Sequence, residues 1–371
     1  MFRISQICIS GAFGEGNFGD DLLLLGYLNF LTKNNIPQRK IKIISKTNDK
    51  LNLQIQLHFP GIKIIQKDKF GIIITKYNIF AGGTQFYTFA LPPQKKFPIL
   101  DRIVFHLTHK RILSKKSIML NVGLGPFEIA PSDRLQTKIC DAYFVSVRDK
   151  VSLEHCNNFR GKNFHYGADI GYIPELYTKL NTKKIGEERS SNARKLKALI
   201  ILRDWPEFDF NNVISNIKYT LKKRNISYAF YIMSPIKDSA FRSALESSNT
   251  EYSEWDEGNL DEALLHISNF DFLITSRYHA VVTAATFTIP SICINIEPKL
   301  AIVSKQLNTN LTIDMNVTTD SLERVVDTLQ NSYEDVKKRL NNSTEHERKR
   351  FYEFSESFKP IAKELVSEIA R

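Results

Sequence analysis

The sequence predicts an α/β chain of two tandem parallel domains followed by C-terminal helices. Three observations carry this. Apolar runs of strand length alternate with helix-length segments through both halves. The polar stretch TKLNTKKIGEERSSNARKLK at 178–197 interrupts them near the middle. From Ser321 to Arg371 the chain turns helical and strongly charged. A length of 371 residues suits two domains of ordinary size.

In the first half, strands are expected at Ile4–Ser10, Lys42–Ser45, Ile62–Ile65, Tyr77–Phe80, Ser117–Val122, Ala142–Val147 and His165–Tyr166. Helices are expected at Asp21–Lys33 and Pro131–Ile139. After the polar stretch, strands are expected at Ala198–Leu202, Tyr228–Ile232, Phe272–Thr275 and Ser291–Ile296. The second half's helices fall at Phe210–Lys223, Leu260–Ser268 and Ala280–Phe287. Such alternation argues for parallel sheets. The expected organisation is a Rossmann-like domain over 1–177, a linker over 178–197, a second Rossmann-like domain over 198–345 and a C-terminal helix over 346–371. Two such domains in tandem are the GT-B architecture, in which the active site lies in an interdomain cleft at the strand C-terminal ends.

Composition bounds the function classes. Hydrophobic content of 42% and charged content of 25% are ordinary for a soluble globular chain. The net charge of +11 has two readings: an anionic partner, or lysines that keep the protein in solution. The cations are scattered, and no RNP, helix-turn-helix or zinc-finger spacing occurs, so nucleic acid is not an expected partner. Cys8, Cys140, Cys156 and Cys293 form no C-x-x-C pair. That excludes a disulfide framework and a thiolate zinc site and favours a reducing compartment. The first apolar run is too short for a secretory signal, and no stretch approaches about 18 apolar residues. The expected location is cytoplasmic.

The segment KKFPILDRIVFHLTHKRILSKK at 95–116 adds a membrane question. Ile99, Ile103 and Leu107 recur at helical spacing. One reading is an ordinary helix packed on the sheet. The other is a basic amphipathic surface that meets anionic lipid, or a lipid-linked sugar diphosphate, at the inner face of the plasma membrane. His106 and His109 lie three apart on this segment, but no third ligand accompanies them, so no metal is expected.

Two segments carry chemistry. The first is GEGNFGDD at 14–21, which satisfies G-x-G-x-x-G between a strand and a helix. A dinucleotide site needs an acid at the end of the next strand, and here Lys46, Thr47 and Asn48 follow that strand. Asp20 and Asp21 would also repel a pyrophosphate at the helix start, while stabilising the helix dipole themselves. Dinucleotide binding is therefore not the expected function. A purely structural reading makes the glycines a tight turn with Asp20 as N-cap; it leaves Asn17 unexplained.

The second segment is DFLITSRYHAVVTAATFTIPSICINIEPK at 271–299. A strand ends at Thr275, His279 opens a small-residue helix, and Lys299 lies just past the following strand. Arg277, His279 and Lys299 thus share the C-terminal edge of two neighbouring parallel strands. Two cations and an imidazole there suit a phosphate or carboxylate, arginine as a fork and lysine as a point charge.

With these residues in place, the chain resembles the polysaccharide pyruvyl transferase family. The resemblance rests on GAFGEGNFGDD at 11–21, FAGGTQF at 80–86, GLGPF at 123–127, SVRDKVS at 146–152, GADIG at 167–171 and SRYHAVVTAA…IP…EPK from 276 to 299. Each segment alone is loose; six in the right order are specific. Ala81 replaces a first glycine, and GADIG departs most from the family pattern.

The resemblance implies a GT-B-like fold and transfer of pyruvate, as a ketal, from phosphoenolpyruvate to a sugar. The acceptor would belong to a bacterial-type surface polysaccharide, capsule or exopolysaccharide, or to its lipid-linked precursor. Phosphoenolpyruvate is then a co-substrate and no cofactor is required. Arg148 of the R-D motif, Arg277 and Lys299 are implied to bind the donor across the cleft, with His279 as catalytic general acid–base. The loops carrying Asn17, Gly19, Asp20, Gly82 and Gly83 are read as the acceptor side of the cleft. The alternatives are a GT-B glycosyltransferase using a nucleotide sugar, with Glu297 as the ribose-holding acid, and a GT-B-like binding module without activity.

Overall fold

The computed structural model describes residues 2–46, 49–66, 71–88, 111–128, 130–159, 164–182, 185 and 195–370. The chain divides into two compact units. One comprises Met1–Glu15, Asp20–Ile170 and Lys349–Arg371, the other Gly16–Gly19 and Gly171–Arg348. The four residues at the heart of the glycine loop therefore group with the second unit.

The first unit holds strands β1 (Phe2–Ser10), β2 (Ile41–Ser45), β3 (Lys63–Gln66), β4 (Ile72–Ala81), β5 (Thr84–Thr88), β6 (Arg111–Phe127), β7 (Phe144–Val147) and β8 (Phe164–Tyr166). They pair in the order β3-β2-β1-β4-β6-β7-β8, with β5 beside β6, and every pairing is parallel. Its helices are α1 (Phe18–Lys33), α2 (Asp49–His58), α3 (Asp133–Cys140) and α4 (Lys150–Asn158). β7 is buried along its whole length, as expected of a parallel strand covered on both faces. Strand order reverses between β1 and β4, and the loops after both carry family motifs.

The second unit has β9 (Lys197–Ile201), β10 (Ser227–Ile232), β11 (Tyr252–Glu254), β12 (Phe272–Thr275), β13 (Ser291–Asn295) and β14 (Thr312–Asp314). Their order is β11-β10-β9-β12-β13-β14, again all parallel. Helices α5 (Phe210–Lys223), α6 (Ser239–Ser247), α7 (Leu260–Ser268), α8 (Tyr278–Thr286), α9 (Pro298–Gln306) and α10 (Thr319–Asn331) connect or follow them. Local chemistry sets their starts. Asp209 accepts from Asn212 N at 3.1 Å to cap α5, Asn259 accepts from Glu262 N at 3.2 Å to cap α7, and Thr318 and Ser321 form a capping box on α10. The reversal of strand order lies between β9 and β12, the position where open α/β sheets bind ligands.

The last helix, α11 (Tyr333–Ala370), contributes its residues from Lys349 onward to the first unit. There Phe351, Phe354 and Phe358 surround Phe30 at centroid distances of 5.7, 5.5 and 5.4 Å. Lys116 Nζ meets Glu364 at 3.3 Å and Glu368 at 3.1 Å, while Tyr77 donates to Glu368 at 2.7 Å.

Several expectations need correction. Residues 111–116 belong to β6 rather than to a helix; residues 95–110, with His106 and His109, lie outside the described residues. α1 begins at Phe18, so Asp20 stands in its first turn and is not the N-cap. Lys299 lies just past β13, as expected, in the first turn of α9. Strands β5, β11 and β14 and helices α2, α4, α6 and α9 were not foreseen. Of the linker segment, residues 183–184 and 186–194 fall outside the description. Among the described residues no helix is long and apolar enough to cross a membrane, and no group of three His, Cys, Asp or Glu residues is placed to hold a metal ion.

Candidate functional site

The second unit gathers Arg203, Arg277, His279 and Lys299 at the C-terminal edge of β9, β12 and β13. Hydroxyl groups tie the strand ends together. Thr275 Oγ1 donates to Ile201 O at 2.7 Å and accepts from Arg277 N at 3.0 Å. Ser276 Oγ accepts from Arg203 N at 2.8 Å. Small hydroxyl residues at 275 and 276 thus fix where both arginines leave the sheet, on the two strands that flank the order reversal.

Arg277 is held on every side. Nε donates to Asp238 Oδ2 at 3.0 Å, and Nη2 meets the second oxygen, Asp238 Oδ1. Nη1 donates to Asn17 Oδ1 at 3.3 Å. Arg277 is 8% exposed and Asp238 is fully buried. Burial pushes the Asp238 carboxyl upward, against the pull of the Arg277 guanidinium. A two-toothed pair of this kind fixes the plane of the guanidinium as well as its charge.

Asn17 belongs to the short glycine segment that packs in the same unit. Ser234 Oγ donates to Gly16 O at 2.6 Å, Phe18 N donates to Met233 O at 3.3 Å, and the Phe18 ring meets Trp255 edge-on at 5.6 Å. Gly16 has φ +64°, and a Cβ there would lie 2.6 Å from Glu257 Oε1 and 2.7 Å from Ile236 Cδ1. Both the left-handed backbone and the lack of space require glycine. Gly19 is needed for space alone, because the His279 ring rests on it.

Lys299 and Arg203 share one carboxylate. Lys299 Nζ lies 2.8 Å from Glu297 Oε1, and Arg203 Nη1 bonds the same oxygen. Arg203 also lies over the Trp205 ring, 5.2 Å from its centroid. Sequence reasoning missed Arg203 and Asp238. The dipeptide Arg203–Asp204 directly after an apolar strand was the available signal for the first; nothing local marks the second.

Four further motifs converge in the first unit, on Arg148 at the end of β7. Its Nη1 donates to Asp169 Oδ2 at 3.0 Å and its Nη2 to Thr84 Oγ1 at 3.0 Å. Nε lies 3.6 Å from Asp149 Oδ2, and Asp149 caps α4 by accepting from Ser152 N at 2.8 Å. A Cβ on Gly123 would come within 2.9 Å of Arg148 Nη2. Thus the segments around 80–86, 123–127, 146–152 and 167–171 all build one guanidinium site. Arg148 and Asp169 have side chains only 3% and 1% exposed. Asp169, which the sequence reading left without a role, is the main counter-charge.

Gly82 and Gly83 have φ +61° and +70°, and a Cβ on Gly82 would meet Tyr27 Cε2 at 2.9 Å. Asp20 is half-buried in the first turn of α1. Its neighbour Asp21 is fully buried and accepts from Gly14 N at 3.2 Å, bracing the turn.

Comparison with solved structures defines the class first. The chain matches S. aureus MnaA in complex with UDP with a TM-score of 0.56 at 9% identity, covering 92% of this chain and 91% of that one. It matches Anabaena Alr3699/HepE in complex with UDP-glucose with a TM-score of 0.55 at 10% identity, covering 98% and 99%. A glycosyltransferase from Rickettsia africae gives 0.54 at 10% identity, covering 98% and 99%. At such identity the likeness establishes fold: two Rossmann-like domains of the GT-B type. The fold class is GT-B. A family profile described as polysaccharide pyruvyl transferase matches residues 17–298, and the chain belongs to that family. The match begins at Asn17 and stops one residue before Lys299. No curated protein matches the chain.

Proposed function

We propose that this transferase moves pyruvate from phosphoenolpyruvate onto a sugar of a surface polysaccharide or of its lipid-linked precursor, forming a ketal. The observation that carries the reading is the convergence of Arg277, His279 and Lys299 at adjoining strand ends, beside the reversal of strand order. Phosphoenolpyruvate carries a phosphate and a carboxylate on a three-carbon frame, so its site needs several fixed cations. Arg277 and Lys299 supply them in the second unit. Arg148 is read as a donor ligand on the strength of its family motif, and Asp169 and Thr84 support that role by orienting it.

In this reading His279 delivers a proton to the methylene carbon while a sugar hydroxyl bonds the adjacent carbon. A second hydroxyl of the same sugar then displaces phosphate. Two C–O bonds form, the C–OP bond breaks, and the hydroxyl protons pass to the methylene carbon and the departing phosphate. Asn17 Oδ1 accepts from Arg277, which supports a place for Asn17 beside the donor cation rather than among the acceptor's contacts.

The nucleotide-sugar alternative asks Glu297 to hold a ribose, yet that carboxylate already takes Arg203 and Lys299. Thermal shift separates the two readings. Phosphoenolpyruvate should raise the unfolding midpoint while UDP and GDP leave it in place; the reverse pattern would overturn the proposal.

A further inference from the structure

Arg203 belongs to no motif that the resemblance supplied, yet it stands on the same cationic edge, beside Arg277. Its backbone nitrogen bonds Ser276, the residue before Arg277. Its guanidinium and Lys299 Nζ converge on a single oxygen, Glu297 Oε1. The exposures of these side chains differ in a telling way. The Arg277 side chain is 9% exposed, whereas that of Arg203 is 34% and that of Lys299 28% exposed. Arg277 is enclosed and matched by Asp238. Arg203 and Lys299 both keep open surface beside the one oxygen they share, and the Glu297 side chain that carries it is 11% exposed.

Two cations focused on one oxygen is the arrangement an anionic ligand would find. We infer that Arg203 and Lys299 form an anion subsite for the phosphate or carboxylate of the donor, and that Glu297 occupies it as a built-in competing anion. The inference rests on the phosphoenolpyruvate reading and extends it. A ligand oxygen that enters displaces Glu297 from Arg203, and the exposed surface of both cations gives it a way in. The Trp205 ring keeps the Arg203 guanidinium in place when Glu297 lets go. The energetic consequence has a definite sign. Loss of the Glu297 charge removes a competitor and strengthens anion binding. Were Glu297 there only to position the cations, its loss would weaken binding.

The test is calorimetric titration of the full-length protein with phosphoenolpyruvate and, separately, with inorganic phosphate, at low salt. Glu297→Gln keeps shape and removes charge; it should tighten phosphoenolpyruvate binding about threefold or more. Arg203→Ala should weaken it about tenfold or more, with Arg203→Lys in between, because lysine supplies charge without the fork. Circular dichroism on each variant confirms that it is folded. An Arg203→Ala variant with wild-type affinity, or a Glu297→Gln variant with weaker affinity, overturns the subsite. If wild type binds inorganic phosphate through Arg203 but not phosphoenolpyruvate, the anion subsite stands and the donor assignment falls. If it binds neither, both fall.

Discussion

The imidazole of His279 lies directly on Gly19: a methyl group built there would sit 2.0 Å from Nδ1 and 2.5 Å from Cγ. Two motifs 260 positions apart are thus parts of one surface. Gly19 does not have the left-handed backbone of Gly14 and Gly16, so the constraint on it is space. Gly19→Ala should push the ring off its seat while the protein stays folded. A displacement near 1 Å costs on the order of a hundredfold in rate. Turnover should fall by about that factor, with an unfolding midpoint close to wild type. Wild-type turnover in this variant would detach His279 from the reaction.

The Arg277–Asp238 pair should show the asymmetry of a buried ion pair. Removing Asp238 leaves a guanidinium that is 8% exposed without its carboxylate. Such a loss costs about 3–5 kcal/mol. Urea denaturation of Asp238→Ala should show that loss, and the double variant with Arg277→Ala should recover part of it. If the double variant is no better than Asp238→Ala alone, the two residues are not coupled.

Arg148 and Asp169 make the same point in the first unit, by a different measurement. A double-mutant cycle with Arg148→Ala and Asp169→Ala should give a coupling energy of about 1–3 kcal/mol. Additive effects would mean that Asp169 serves something else. Gly123→Ala should also perturb the site, since its methyl group would press on Arg148 Nη2 at 2.9 Å.

Stability should fall on mild acidification. Burial lowers the pKa of His155, His165 and His266 below the ordinary value near 6.5. In the folded protein these rings resist protonation; in the unfolded chain they accept protons at about pH 6.5. Their contribution is therefore complete above that pH and is lost as the pH drops below it. His165 stacks on Phe144 at 4.6 Å. His165→Phe keeps a ring there and removes the titration, so the loss of stability between pH 7.5 and 5.5 should shrink. An unchanged loss would show that His165 contributes nothing to it.

Much of the fold was legible because parallel strands are apolar runs and helices announce their caps. α5 and α7 match the ranges expected from the sequence, and Asp209 and Asn259 cap their starts in the structure. β6 was cut short because Arg111, Ser114, Lys115 and Lys116 break the apolar run at its start. Lys116 finds its partners in Glu364 and Glu368, nearly 250 residues later, and no local pattern reveals a pairing across that distance. The site divides the same way. Arg277, His279 and Lys299 stood in one segment and could be seen together. Asp238 could not, because its partners, Arg277 and the Asp204 backbone nitrogen, lie more than thirty residues away. The glycine loop was recognised, but its role as the floor under His279 appears only when the chain is folded.

Donor identity can be read from a single incubation. The protein is mixed with phosphoenolpyruvate and a panel of galactosides, mannosaminides and glucosides, and phosphate release and product mass are read together. Phosphate should be released in step with a sugar product heavier by pyruvic acid less one water. Intact phosphoenolpyruvate across the panel, with a nucleotide sugar consumed in its place, would contradict it.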